Sequence, residues 1–289
     1  MSMRSAGYFH HRHPAVYDML TNAKIKEINK LTDRSRTRRE TGLFVIEGTK
    51  MFLETPLEWI ENIYVTKSFL EDIDRALSEG TDSMLRASQI IEWMDYDIVT
   101  DEQMSKISDT KTPQGVLCVL RQPNYDIDVI IKHRHKKNRP GLIVMLEDIQ
   151  DPGNLGTIMR TAEGAGADGV ILSSGCVDIF NPKTIRSTMG SVYRVPFVIA
   201  DDLKSVIDEI KKEGFTIYAA HLKGERMYSE EEYSDAAFLI GNEGNGLSDE
   251  IASCADRLIK IPMEGSLESL NASVAASILM YDHYVRTAH

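Results

Sequence analysis

The sequence predicts an α/β protein with a mostly parallel sheet, preceded by a smaller α/β unit. Three observations carry that expectation. From Gly141 onward, strand-like and helix-like segments alternate. Residues 142–146 form a continuous apolar run, as suits a strand buried on both faces. At 289 residues the chain has room for two domains and a sizeable core.

In chain order, residues 1–22 lack the apolar core of a signal peptide and read as a disordered tail or a cloning remnant. Residues 23–120 make the first unit. A helical pattern at 23–33 leads to a β-like run at 43–46, then to 50–54 and a strand at 60–66. Helices are expected at 72–78 and 90–94, and a buried strand at 115–120 closes the unit. Residues 121–139 lose periodicity and gain charge, with Pro123 inside and Pro140 just beyond, so they read as a linker.

Residues 140–289 form the second unit. After the run at 142–146, Asp151-Pro-Gly reads as a turn and Asn154 as the N-cap of a helix. Strands are expected at 169–172, 196–199, 215–220, 236–240 and 257–261, with helices at 183–189, 202–214 and 249–254. In the last helical pattern Leu270, Val274, Ile278, Tyr281 and Val285 make one apolar stripe. Ala272, Ser273, Ala275, Ala276 and Ser277 are small enough for another backbone to come close.

No run of eighteen apolar residues exists, so no membrane span is expected. Cys118, Cys176 and Cys254 are scattered, odd in number and without metal-ligand spacing, which points to no metal and a reduced cytoplasm. The net charge of −11 argues against a nucleic-acid partner, but its distribution argues for one. Residues 24–40 carry a local +4 that includes Arg36, Arg38 and Arg39, and residues 132–139 carry +5. Each run reads either as a phosphate-backbone contact or as a solvated helix face or charged linker.

Gly164-Ala-Gly-Ala-Asp-Gly169 has the letters of a dinucleotide fingerprint but follows a helix and precedes a strand, the reverse of what that fold needs. It reads as a helix stop and turn. Asp148 to Arg160 lies at the end of a buried strand, where open α/β sheets bind ligands, with Arg160 off the apolar stripe. Gly241-Asn-Glu-Gly-Asn-Gly246 follows another apolar strand. Three glycines in six residues suit either a ligand lying on main-chain groups or a long turn. No Lys-Ser/Thr follows, which excludes a Walker loop. Ile261-Pro-Met263 opens the loop before the last helix, and Ser269-Leu-Asn271 leads into that helix.

Together, Asn154 with Arg160, the glycine stretch 241–246, and Ile261-Pro-Met…Ser269-Leu-Asn271 resemble the SpoU (TrmH-type) branch of the SPOUT methyltransferases. Residues 181–191, including Arg186, also look like that family, and residues 23 to about 110 resemble its RNA-binding domain, similar to a ribosomal-protein fold. The resemblance implies a C-terminal trefoil knot, a homodimer with active sites drawn from both chains, and S-adenosylmethionine as cofactor. It implies methyl transfer to a ribose 2′-hydroxyl of structured RNA, 23S rRNA ahead of tRNA. It places Gly241, Gly246, Ile261, Met263 and Leu270 at the cofactor and Arg160, Asn154, Glu243, Ser269 and Asn271 at the reaction; Arg186 of the family-like segment and Arg36, Arg38 and Arg39 of the first basic run are the candidates for RNA contact. A catalytically silent RNA-binding relative and a base-modifying relative are the alternatives.

Overall fold

A computed structural model describes residues 20–134, 138–224, 226–264 and 269–287. The tail before residue 20 and Lys136 and Lys137 of the second basic run lie outside the described residues. The chain divides into two compact units that meet between Gln122 and Pro123.

The first unit opens with α1 (Asn22–Asp33), whose N-cap Thr21 accepts the Lys24 N–H, and α2 (Ser35–Thr41). It continues through β1 (Leu43–Glu47), α3 (Thr49–Leu53), β2 (Ile60–Thr66), α4 (Lys67–Ser78) and α5 (Leu85–Trp93). β3 (Asp97–Val99), α6 (Asp101–Ile107) and β4 (Val116–Arg121) complete it. The sheet order is β1-β4-β2-β3, antiparallel except for the β2/β3 pair. Ile28 and Leu31 of α1 pack with Tyr64, Met104, Ile107 and Leu117 to form the core. The sequence expectation omits α2, β3 and α6, which are short.

The second unit begins with α7 (Ile127–Arg134), inside the stretch read as a linker. Ile127 and Ile130 are buried in the core of this unit, so the stretch is docked helix rather than free chain. Then follow β5 (Leu142–Leu146), α8 (Pro152–Gly164), β6 (Gly169–Ser173), α9 (Pro182–Thr188), β7 (Phe197–Ala200) and α10 (Leu203–Lys212). The rest is β8 (Thr216–Ala220), β9 (Arg226–Met227), β10 (Ala236–Ile240), α11 (Asp249–Ala252), β11 (Arg257–Lys260) and α12 (Ala272–Thr287).

All seven strands are parallel, in the order β7-β6-β5-β10-β8-β11-β9. β5 and β10 are buried throughout, as their unbroken apolar runs predict. Because strand side chains alternate, Ile143 and Met145 join α7 and α10 in the core on one face. α12 packs against β5, β10 and α8. The turn at 164–169 behaves as expected: α8 stops, Gly166 takes φ +65°, and β6 starts at Gly169.

α12 reverses one expectation. Its buried face is Ala272, Ser273, Ala276, Leu279, Met280 and His283, while Val274, Tyr281 and Val285 of the predicted apolar stripe are 46, 45 and 61% exposed. The small residues let α12 lie close to α8, where Thr161 and Ser277 hydroxyls meet at 3.0 Å. Among the described residues, no helix is long and apolar enough to cross a membrane.

Candidate active site

The second sheet changes direction between β5 and β10. From β5 the chain steps outward through β6 to β7, then crosses back to build β8 beyond β10. Such a divergence leaves a crevice at the carboxyl ends of the two strands. The segments leaving there, 147–154 and 241–248, are bonded together along their length. Glu147 accepts the N–H and the hydroxyl of Ser248 at 2.8 and 2.6 Å. Asn242 Nδ2 donates to the Asp148 carbonyl at 2.7 Å. The Glu243 carboxylate accepts the N–H groups of Gln150 (3.0 Å) and Asp151 (3.1 Å) and Nδ2 of Asn154 (2.8 Å).

Asp148 makes this geometry possible. It sits at φ +54°, left-handed backbone that a non-glycine residue rarely adopts. Ser173 holds it there: its Oγ accepts the Asp148 N–H at 2.9 Å and donates to Oδ1 at 2.6 Å. The next residues can then present two N–H groups to one carboxylate. α8 starts at Pro152, so its N-cap is Asp151, which accepts the Asn154 N–H at 2.9 Å. The expectation of Asn154 as the cap therefore gives way, since proline, lacking an N–H, suits the first helical position. Asn154 lies just inside the first turn with its side chain available to bridge.

The third motif arrives through Asn271. Its Nδ2 donates to Asn154 Oδ1 at 2.9 Å, while its Oδ1 accepts the N–H and hydroxyl of Ser273 (2.9 and 2.6 Å) at the start of α12. Asn271, Asn154 and Glu243 thus form one directional chain, each donating to the next. Desolvation pushes the Glu243 carboxyl up, but the bonds from Asn154, Gln150 and Asp151 outweigh it and hold it below the ordinary range.

The glycine loop has its own explanation. A Cβ on Gly241 would lie 2.2 Å from the Gly246 carbonyl carbon and the Leu247 nitrogen, and Gly246 takes φ +69°. The backbones of Asn242 and Gly246 pair at 3.0 and 2.9 Å. Closure of the loop on itself therefore requires Gly241 and Gly246, with or without a ligand. With Asn242, Glu243 and Ser248 turned towards the exit of β5, the loop offers exposed main chain at Gly244–Gly246. Ile261 follows β11, two strands from β10 and so about 10 Å along the same sheet edge. Ile261, Met263 and Leu270 are half-buried, and Ser269 is exposed.

Arg160 stands outside the chain of bonds. It is exposed on α8, six residues and about 9 Å along the axis from Asn154, and it makes no hydrogen bond or ion pair with another described residue. Arg186 is half-buried on α9, whose Ser187 packs so closely on α8 that a Cβ at Gly156 would lie 2.2 Å from it. In the first unit, Arg38 is 2% exposed and donates to the carbonyls of Leu31 and Thr32 at 2.6 and 2.9 Å. That burial removes it from the RNA-contacting set: it satisfies the last carbonyls of α1. Arg36 pairs with Glu40 at 2.7 Å, and Arg39 is exposed.

Sequence reasoning misses Glu147, Asp148, Gln150, Asn242 and Ser248. Two signals were available: Asp151-Pro152 as cap and first helical residue, and Ser248 before Asp249 and Glu250 as a second cap. The bonds that join them cross about 90 to 100 residues and leave no local pattern.

Residues 141–281 match the SpoU rRNA Methylase family, and residues 22–118 match the MRM3-like substrate binding domain. The chain is 32% identical over 262 residues to the 23S rRNA (guanosine(2553)-2'-O)-methyltransferase RlmP of Bacillus subtilis, covering 90% of this chain and 95% of that protein. The chain belongs to the SpoU rRNA methylase family. This SpoU methylase also resembles the AdoMet-bound rRNA methyltransferase of Sinorhizobium meliloti, with a TM-score of 0.75, 30% identity, and 91% and 95% of the two chains covered. The SpoU methyltransferase AviRb of Streptomyces viridochromogenes, at 23% identity and a TM-score of 0.77 over 92% and 98%, shares its fold.

Proposed function

We propose that this SpoU methylase transfers a methyl group from S-adenosylmethionine to a ribose 2′-hydroxyl of 23S rRNA. The observation that carries the reading is the Asn271–Asn154–Glu243 chain, which joins three distant motifs at the switch point of the sheet. The exposed main chain of Gly244–Gly246 beside it, with half-buried Ile261, Met263 and Leu270 along the edge, suits a cofactor held by backbone groups and apolar contacts. When bound, S-adenosylmethionine supplies an already electrophilic methyl group. The chain's own work is then to bind, to align the hydroxyl, and to help remove its proton.

Arg160 is suited to the last two tasks in a particular way. A guanidinium has no acceptor and a pKa above about 12, so it is a poor general base. Its planar donor fork stabilises the oxygen as negative charge develops there, and fixes the adjacent phosphate. With S-adenosylmethionine bound, Arg160 would steady the hydroxyl oxygen that accepts the methyl group in place of sulfur, and the hydroxyl proton would leave through a phosphate oxygen or water. Glu243, held ionised by three donors, acts as the anchor of Asn154 rather than as a base.

The same reading includes the trefoil knot, action in the cytoplasm and a homodimer. Support for the dimer comes from α12, which exposes Val274, Tyr281 and Val285 and sets Tyr281 against α8 near Arg160. The Tyr281 hydroxyl lies only 2.8 Å from a Cβ built on Gly164, one turn past Arg160. A second copy on that face would complete the surroundings of Arg160. The test is to map 2′-O-methylation on 23S rRNA and tRNA with and without the protein. A new ribose methyl on 23S rRNA supports the reading; one on tRNA, a methylated base, or no new methyl at all overturns it.

A further inference from the structure

We propose that Lys26 and Lys30 on the outer face of α1, Arg34 at the cap between α1 and α2, and Arg39 of α2 grip the phosphate backbone of the RNA substrate, and that buried Arg38 sets the shape of this surface. The inference rests on the methylation reading above and adds the place where the first unit holds its RNA.

Charge narrows the choice first. Residues 41–122 carry seven lysines and arginines against fifteen aspartates and glutamates, a balance of −8, whereas residues 24–40 stand at +4. By this balance of charge, α1 and α2 are the part of the unit that favours a polyanion. The described lysine and arginines of the second basic run are engaged within their own unit. Lys132 pairs with Asp128, Arg134 with Asp235, and Arg139 donates to the Gly166 carbonyl and stacks over Tyr284.

Position narrows it further. Lys26 and Lys30 lie four residues apart on the side of α1 opposite buried Ile28, and Arg34 follows one turn later as the C-cap of the helix. All three are exposed, as is Arg39, and none forms an ion pair with another described residue. Asp33 lies within the stripe, Lys24 is taken up by Glu27, and Arg36 by Glu40. The surface therefore keeps a surplus of unpaired positive charge.

Arg38 ties the two helices together. Its guanidinium reaches back from α2 to two carbonyls of the last turn of α1, and its own carbonyl accepts Gln122 Nε2 at 3.0 Å. The corner between α1 and α2 is fixed by this fork, so cations on the two helices present one surface. Arg38 is a positioning residue, and the basic run divides into one clamp and four contacts.

The test uses the full chain, S-adenosylmethionine and protein-free 23S rRNA. Lys26→Ala/Lys30→Ala/Arg34→Ala should weaken RNA binding about 10- to 100-fold near 0.1 M salt and flatten the plot of log K against log salt by about 2. Cofactor affinity by calorimetry should stay unchanged. The exposed pair Lys50 and Lys111, changed together to Ala, should leave the slope as it was. Arg38→Lys keeps the charge but not the fork, so it should lose as much RNA affinity as Arg38→Gln. An unchanged slope in the triple variant, an equal flattening in the Lys50/Lys111 control, or rescue by Arg38→Lys overturns the assignment. A wild-type protein that binds cofactor but no RNA fails the methylation reading itself, a result distinct from loss confined to the triple variant.

Discussion

The side-chain amide of Asn154 donates to the Glu243 carboxylate at 2.8 Å across 89 residues of sequence. Asn154→Asp would set two carboxylates at hydrogen-bonding distance, raising the pKa of one of them. At pH 7.5 this variant should lose about 1–3 kcal/mol of stability. Because its folded state would then bind the extra proton more readily than the unfolded chain, the deficit should narrow towards pH 5. Asn154→Ala should show a deficit that does not narrow. Melting temperatures across that range decide it.

Arg160 offers a separation of chemistry from binding. Arg160→Ala should lower single-turnover methyl transfer by about 10²–10³-fold while leaving cofactor affinity within about twofold. Arg160→Lys should recover less than about a tenth of the loss, since it lacks the planar fork. Near-full turnover in the lysine variant would refute a bidentate role.

Gly241→Ala brings a methyl group into backbone rather than into a side chain that could turn away. The loop must open to admit it. Cofactor affinity should fall at least about tenfold, as main-chain groups lose their alignment. Titration calorimetry of the variant checks this, with the far-UV spectrum as the folding control.

His283 is buried against Tyr233 and Phe238, with Nε2 3.1 Å from the Ser234 carbonyl. Desolvation holds its imidazole below the ordinary value despite that bond. Its stabilising effect is therefore complete above the unfolded pKa of about 6.5 and is lost as pH falls through the lower folded value, because the unfolded chain takes the proton first. His283→Phe should flatten the fall in melting temperature between pH 7 and 5.5, although it melts lower at pH 7.

The exposed α12 stripe carries the oligomer prediction. Tyr281→Glu with Val285→Glu should halve the mass seen by sedimentation equilibrium and reduce turnover. A variant that stays dimeric would move the interface elsewhere.

Much of the second unit was legible because a strand buried on both faces must be apolar throughout, and Leu142–Leu146 and Ala236–Ile240 are. The site motifs were legible as groups of residues, but their wiring was not. α12 shows the limit clearly: periodicity reveals a large apolar stripe and a run of small residues, and the close approach of α8 decides which is buried. Arg38 shows another, since composition counts a charge without saying whether carbonyls surround it. α7 was hidden by its own basic residues, one of which, Arg134, pairs with Asp235 far along the chain.

β10 lies between β5 and β8, which do not pair with each other. The strands at 142–200 and the strand at 216–220 are joined into one sheet only through residues 236–240, which come later in the chain. A nascent chain stopped short of that point has two open strand edges and no crevice, exposed to aggregation and incapable of partial activity. The crevice in this protein therefore forms late, with the insertion of a single five-residue strand, and Asn271 at the start of α12 completes the site only after that.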